Sequence, residues 1–221
     1  MKFEKTEVWG FEHAVRGMRN PYDSWDKSDS EFKVGFSGNG CILGENDLKL
    51  MQKLIKGGSE HRKFLRQIFV SVDITAPLYW WKEFDTYKIG TVSNSCSTMH
   101  TLVKNPITQK CFEIDDYKEV CSINEIWLCV IKKLEELRKK FLDTQNKMYW
   151  KEMIRLLPQS YLQKRTITMN YENVFSMVNQ RMNHKLIEWS GDFLVWAMSL
   201  PYSKELIFEI TMNDRGKNGT V

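Results

Sequence analysis

The sequence predicts a mixed α/β fold of the α+β kind, on three observations. Ile68, Val70, Val72 and Ile74 alternate strictly with their neighbours, the period of a half-buried strand. Behind Ser122 an apolar face runs through Ile123, Ile126 or Trp127, Val130, Leu134, Leu137 and Phe141, with Lys and Glu opposite, the stripe of an amphipathic helix. Phe175, Val178, Met182, Leu186, Trp189, Phe193, Trp196 and Leu200 are spaced 3, 4, 4, 3, 4, 3 and 4 residues apart. That spacing predicts helix over about seven turns.

In chain order, Thr6 to Phe11 reads as a short strand and Glu12 to Met18 as a helical turn stopped by Asn20-Pro21. Residues 20–46 are rich in turn formers, with Gly35, Gly38, Asn39 and Gly40, and read as a long loop or interface arm. No Gly-Lys-Ser/Thr follows these glycines, so they make no phosphate loop. Asn46 or Asp47 is positioned to cap a helix with Leu48, Met51, Leu54 and Ile55 on one face, ended by Gly57-Gly58. The strand over Phe64 to Thr75 leads to Pro77, which suits the first turn of a helix LYWWKEFDTYKIG. Residues 103–121 are irregular; Ser122 and Glu125 then have capping-box spacing. A further helix over Asn146 to Leu157 stops near Pro158, and the last long helix starts near Asn170. The chain therefore reads as one domain over 1–212 with a frayed tail at 213–221.

Composition narrows the function. A formal charge of +4 without a basic run or stripe gives no case for nucleic-acid binding. Cys41, Cys96, Cys111, Cys121 and Cys129 show neither zinc-ligand spacing nor a disulfide framework, which fits a reducing cytoplasm. The start carries no apolar signal region and no run approaches the ~18 apolar residues of a membrane span. His13, His61, His100 and His184 form no ligand pair with a carboxylate, so no metal is expected. No Gly-x-Ser-x-Gly elbow supports hydrolase chemistry.

Two stretches hold candidate chemistry. Thr91, Ser93, Asn94, Ser95, Cys96, Ser97 and Thr98 offer many uncharged donors and acceptors, as a polar ligand or a serine-rich surface loop would both use. Asn170 at a helix start either caps that helix or faces a cavity together with Arg181, three turns further on. Arg181 offers a planar fork for a phosphate, a carboxylate or a pyrimidine edge, and Lys82 and Lys88 add positive charge.

In order and spacing, residues 46–190 resemble the flavin-dependent thymidylate synthases. His61 falls where that family's flavin-contacting His precedes a strand ending in Ala76-Pro77. Asn94 and Ser97 fit the Asn and second Ser of its signature, and Thr91 stands at the first Ser after a one-residue insertion. Leu157-Pro158, Thr168, Asn170 and Arg181 match the later series in register. In the family that Asn helps hold the flavin and that Arg the pyrimidine nucleotide. The departures fall on charged chemistry. Arg-His-Arg is replaced by Thr86-Tyr87-Lys88, the signature Glu by Ser95 and its nucleotide-binding Arg by Met99, with His100 in the Tyr place. Arg66-Gln67 stands for Glu-His, and Leu186-Ile187-Glu188-Trp189 for Ala-Gln-x-Glu. Each lost charge-assisted contact is worth ~1.5–3 kcal/mol, so several would cost orders of magnitude in affinity for the standard ligands.

The resemblance implies a curved antiparallel sheet flanked by long helices, as in thymidylate synthase-complementing proteins. It also implies a homotetramer with pockets at subunit interfaces, and FAD as cofactor. The first expectation is a cytoplasmic protein that binds a nucleotide-type ligand without standard dTMP synthesis, the role of a phage or prophage protein that sequesters a nucleotide. Its ligand would meet Arg181, Lys88, Tyr87, Thr91, Asn94, Ser97 and Lys82, with His61 and Asn170 toward the cofactor and Trp80, Trp81 and Tyr87 stacking a base. The second is an active FAD-dependent methyltransferase acting on dUMP or a related uracil nucleotide with methylenetetrahydrofolate and NADPH. The third is a structural oligomer without a ligand.

Overall fold

The computed structural model describes residues 1–32, 40–115 and 121–212, and of residues 121–123 the backbone alone. Gly35, Gly38 and Asn39, the side chains of Cys121, Ser122 and Ile123, and the tail 213–221 lie outside the described residues. The elements run β1 (Lys2–Trp9), α1 (Phe11–Arg19), β2 (Glu31–Phe32), β3 (Cys41–Ile42), α2 (Glu45–Lys56), β4 (Phe69–Pro77), α3 (Leu78–Phe84), β5 (Val92–Ser95), α4 (Thr98–Thr101), α5 (Cys121–Thr144), α6 (Lys147–Leu156), β6 (Leu162–Asn170), α7 (Tyr171–Arg181) and α8 (Leu194–Met198). The fold combines helices with antiparallel sheet, as the sequence predicts. Four strands form a sheet in the order β1-β4-β6-β5, and β2 pairs antiparallel with β3 through Glu31↔Ile42 and Phe32↔Cys41.

The chain forms two compact units: Met1–Lys2, Ile74–Thr86 and Asn94–Arg165 make one; Phe3–Asp73, Tyr87–Ser93 and Thr166–Val221 the other. The first unit is built on the α5–α6 pair. Ile131, Leu134 and Met153 pack with Leu102, Ile107 and Phe112, and Trp127, Val130, Leu137 and Phe141 join them half-buried. Ile126 is exposed, which resolves the sequence alternative in favour of Trp127. Asn146 caps α6 by accepting from the Met148 N–H at 3.0 Å. At α3 the first N–H groups find no side-chain cap after Pro77; Leu78 and Tyr79 donate instead to the carbonyls of Tyr161 and Gln159, at 3.1 Å each.

The second unit turns on Asp47, fully buried in α2. Its Oδ1 accepts from Arg19 Nε at 2.6 Å; its Oδ2 accepts from the hydroxyls of Ser28 and Ser30, each at 2.7 Å, and from the Asp29 N–H at 3.2 Å. Arg19 in turn donates to the carbonyls of Ser24 and Lys27, at 3.0 and 2.9 Å. One carboxylate therefore joins α1, α2 and the beginning of the 20–46 segment. Asp29 returns the bond: its carboxylate accepts from the N–H groups of Asn46 and Asp47, at 2.9 and 3.1 Å. It does the work expected of Asn46 or Asp47, whose own side chains do not cap α2; the N-cap is Gly44. Gly44 allows this close approach, since a Cβ there would lie 2.1 Å from Asp29 Cγ. The 20–46 segment is accordingly no plain loop, but carries 3-10 turns at Asn20–Tyr22 and Trp25–Lys27 before β2 and β3.

Several sequence-based boundaries move. The first strand is Lys2–Trp9, and Phe11 already opens α1. Arg62–Gln67 is a 3-10 helix, so β4 begins at Phe69; Val70, Val72, Ile74 and Ala76 are its buried face. The helix after Pro77 ends at Phe84, because the Thr86 N–H and hydroxyl both bond the Glu83 carbonyl and close it. Strand β6 was not expected at all; its Thr166-Ile167-Thr168-Met169 alternation is the signal for it. The long C-terminal helix is broken. After α7 the chain turns, with His184 Nδ1 accepting from the Leu186 N–H at 3.2 Å, and then makes a π-helical segment, Glu188–Phe193, before α8. Ser190, whose hydroxyl bonds the Leu186 carbonyl, and Gly191 both weaken a regular ladder there. The apolar spacing survives because it records which side chains meet the core, not whether the backbone ladder is continuous.

Burial pushes the Asp47 carboxyl up, but the hydrogen bonds from Ser30, Ser28 and Arg19 and the Arg19 charge outweigh it and hold the group below its ordinary 3.8. A depressed folded value stabilises the fold above the unfolded value and is lost as pH falls through the folded one. Urea unfolding should therefore show Asp47→Asn losing about 3–5 kcal/mol at pH 7, because Arg19 is left buried without its counter-charge. The gap between variant and wild type should narrow steadily below pH 4; a gap independent of pH would contradict this account. Leu134→Ala, in the other unit's core, should cost about 2–5 kcal/mol with no such pH dependence.

Candidate functional site

Helix α7 is anchored at both ends by one turn of chain. At its N-terminus Asn170 and Asn173 cap each other: Asn170 Oδ1 accepts from the Asn173 N–H at 3.0 Å, and Asn173 Oδ1 from the Asn170 N–H at 3.1 Å. This satisfies two of the donors a helix start leaves open. Asn173 Nδ2 then donates to the Ile89 carbonyl at 2.7 Å. Gly90, next in the chain, has φ +79°, and a Cβ there would sit 3.0 Å from both Asn170 Nδ2 and Asn173 Oδ1. Only glycine lets the turn close so tightly on the cap. The Thr91 hydroxyl donates to the Tyr87 carbonyl and closes the same turn.

At the C-terminal end Tyr87 meets the last two residues of α7. Its hydroxyl donates to Gln180 Oε1 and accepts from Arg181 Nε, both at 2.9 Å. The Arg181 guanidinium lies 4.7 Å from the Trp189 ring centroid and 5.5 Å from that of Tyr87. The two rings are themselves in edge contact at 6.2 Å. Stacking of this kind is worth about 0.5–2 kcal/mol per contact and fixes the plane of the guanidinium. A guanidinium is a planar fork whose chemistry suits two oxygens of a phosphate or carboxylate, or a base edge.

His61 lies elsewhere in the same unit, exposed on the wall of a cavity of about 720 Å³ with Asn20, Tyr22, Lys63 and Gln67. Its neighbour Arg62 is committed to Glu172, with Nε 3.0 and 3.1 Å from the two carboxylate oxygens, and lies 4.6 Å over the Phe175 ring.

The predicted residues thus divide. Tyr87, Lys88, Thr91, Asn170, Arg181 and His61 belong to one unit, and Lys82, Asn94 and Ser97 to the other. The structure joins Tyr87 to Arg181 by hydrogen bonding, and Thr91 and Asn170 to the same turn. Lys88 is exposed on that turn. Lys82 is exposed on α3, Asn94 is exposed on β5 and Ser97 is the N-cap residue of α4. Asn170 serves as a cap, the local alternative the sequence left open. Trp80 and Trp81 are corrections. Both are buried in the first unit, where they pack with Phe84 at centroid distances of 5.2 and 5.4 Å, and neither ring is open to a ligand. Sequence reasoning missed Gln180, Asn173 and Trp189. Asn170-x-x-Asn173 has readable cap spacing, whereas Trp189 sits on the apolar stripe and nothing in its spacing distinguishes it from core. Among the described residues no group of three or more His, Cys, Asp or Glu comes together to hold a metal, and no helix is long and apolar enough to cross a membrane.

No family model matches the chain, and no curated protein matches its sequence. Its fold, however, is found among solved structures. A crystal structure of thymidylate synthase X (ThyX) from Helicobacter pylori with FAD and dUMP superposes with a TM-score of 0.71 at 17% identity, covering 96% of this chain and 99% of that one. A second crystal structure, of the flavin-dependent thymidylate synthase ThyX from Helicobacter pylori complexed with FAD and dUMP, gives a TM-score of 0.66 at 17% identity, covering 95% and 98%. At that identity the likeness is one of fold: the chain has a ThyX-like fold.

Gly90→Ala should destabilise the protein by about 1–2 kcal/mol, the cost of a left-handed backbone with a Cβ. Asn173→Ala should cost about 1 kcal/mol through loss of the cap. Denaturant melts of the two single variants and the double should be markedly non-additive, because both break the contact between turn and helix; strict additivity would dissolve the proposed coupling.

Proposed function

We propose that this chain is a divergent ThyX-like protein that binds a nucleotide-type ligand through Arg181 and does not carry out standard dTMP synthesis. The observation that carries the reading is the setting of Arg181, its plane fixed by Trp189 and Tyr87 and its Nε held by the Tyr87 hydroxyl. A pre-oriented guanidinium binds oxyanions or a base edge at lower entropic cost than a free one. Lys88, on the same turn, is placed to add charge. Asn94 and Ser97 stay in the proposal on the sequence resemblance alone, and Lys82 on its charge alone. We read residues 1–212 as one domain of this fold, on the strength of the 96% coverage, and expect the ThyX-like homotetramer.

FAD is the cofactor this fold suggests, and both similar structures were solved with it. The side chains around His61 fit its pyrophosphate poorly. Lys63 is opposed there by Glu60, and Arg62 is turned into its pair with Glu172. A diphosphate held by so little positive charge would bind weakly. That supports a nucleotide-binding protein, of the kind a phage or prophage uses to sequester a nucleotide, over an active enzyme. The second reading, a flavoenzyme acting on dUMP or a relative, draws on the cavity beside His61 and on the ligands of the two similar structures.

Two measurements separate them. Arg181→Ala should weaken dUMP binding about tenfold to a hundredfold by calorimetry while leaving the oligomeric state unchanged; equal affinities would refute the role of Arg181, and a wild type that binds no nucleotide would refute the whole reading. Purified protein should be colourless and take up no added FAD. A yellow protein whose flavin is oxidised in a dUMP-dependent manner would establish the enzyme instead.

A further inference from the structure

The residue that stabilises the 20–46 segment also borders open space that the nucleotide reading does not use. Arg19 is buried, only 4% exposed, yet lines a cavity of about 650 Å³ between the end of α1, the 3-10 turns and α2. Its Nε donates to Asp47, its Nη1 to the carbonyl and hydroxyl of Ser24 and its Nη2 to the Lys27 carbonyl. A guanidinium has five N–H groups, so one on Nη2 has no acceptor among the described residues. The Arg19 charge is matched by Asp47, so this donor offers the cavity a hydrogen bond and not net charge. Two more cations, Lys27 and Lys53, stand on the same cavity, both exposed and neither in an ion pair among the described residues. Among the described residues no carboxylate lines it.

The rest of the lining is mixed: Ser24 and Asn46 are polar, while Leu50 and Leu54, one turn apart on α2 and half-buried, give it an apolar patch, and Tyr22 lines the same cavity. The Tyr22 ring is 64% exposed, although its backbone is held: it ends a 3-10 turn closed by the Asp23 N–H on the Asn20 carbonyl at 3.2 Å, while Asn20 Oδ1 accepts from Trp25 Nε1 at 2.8 Å. An exposed aromatic residue on a fixed backbone and two leucines on one cavity offer apolar surface to a planar body. The volume is within the range of small-molecule sites.

We propose that this cavity binds a small planar ligand bearing one anionic group, its ring between Tyr22 and Leu50/Leu54 and its anion on Lys27, Lys53 and Arg19. Arg181 does not line the cavity, so the site stands or falls independently of the nucleotide reading.

Calorimetry on the full chain tests it with two anionic probes, phenyl phosphate and indole-3-acetate, each beside its uncharged counterpart, phenol and indole-3-acetamide. At least one anion should bind once per chain and its counterpart at least about tenfold more weakly. Binding of phenyl phosphate alone assigns a phosphate head, and of indole-3-acetate alone a carboxylate head. Lys27→Glu/Lys53→Glu should weaken the bound anion at least about tenfold, and the milder Lys53→Gln about threefold; both lysines are exposed, and unchanged thermal melts verify the fold. Arg181→Ala should leave this affinity unaltered. The proposal is overturned if neither anion binds, if charged and uncharged probes bind alike, if the lysine variants bind as the wild type does, or if Arg181→Ala abolishes binding.

Discussion

One buried carboxylate decides the arrangement of the second unit. Asp47 accepts four hydrogen bonds, from Arg19, Ser28, Ser30 and the Asp29 backbone, with its side chain shut off from water. Taking both charges of the Arg19–Asp47 pair out of solvent costs several kcal/mol per ion, and the close contact with further hydrogen bonds offsets that cost only in this geometry. The pair is therefore better understood as specifying a conformation than as adding stability. Without it residues 20–30 would lose the anchor that α1 and α2 share, keeping the bonds of Asp29 to the start of α2, and the walls of the cavities that Tyr22 and Asn20 border would be held less firmly.

The Arg181 region follows the same logic on weaker, more numerous contacts. A helix start needs its open N–H groups satisfied, and Asn170 with Asn173 does this locally. Once Asn173 Oδ1 is fixed, its Nδ2 points at a backbone carbonyl, and the turn carrying Ile89 and Gly90 is drawn in. Tyr87 then falls against Gln180 and Arg181. Capping chemistry at one end of α7 thereby positions an aromatic hydroxyl at the other. A charged side chain is thereby held in one orientation by an aromatic hydroxyl and two rings, and such support is how binding sites are commonly prepared.

Much of this was readable from local chemistry. The alternation of Val70, Val72 and Ile74, the apolar faces around Leu134 and Met153, the Asn146 and Asn170 caps and the stop at Gly57 each depend on neighbours within a turn or two of the same segment. The hydroxyl string decides nothing by itself, because exposed Ser and Asn on β5 satisfy an edge strand as readily as a ligand. Trp80 and Trp81 misled because nothing in an aromatic pair tells whether it lines a pocket or fills a core. Strand β6 is hard to read in the sequence because its first half, Leu162 to Arg165, does not alternate cleanly: Gln163 is the buried residue there, its amide donating to the Cys96 carbonyl at 2.9 Å.

By itself the sequence determined the fold class, most of the helices and the position of Arg181 at the foot of a capped helix, since periodicity and capping are short-range and each residue type carries its own preference. Only the tertiary structure decided that Asp29 caps α2 from another segment, that Asp47 holds Arg19, that the C-terminal helix breaks into a π-helical segment, and that Tyr87 and Trp189 frame Arg181. Those pairings join residues that are far apart in the chain or separated by an irregular turn, and spacing within one segment carries no record of which distant partner a buried polar group will find.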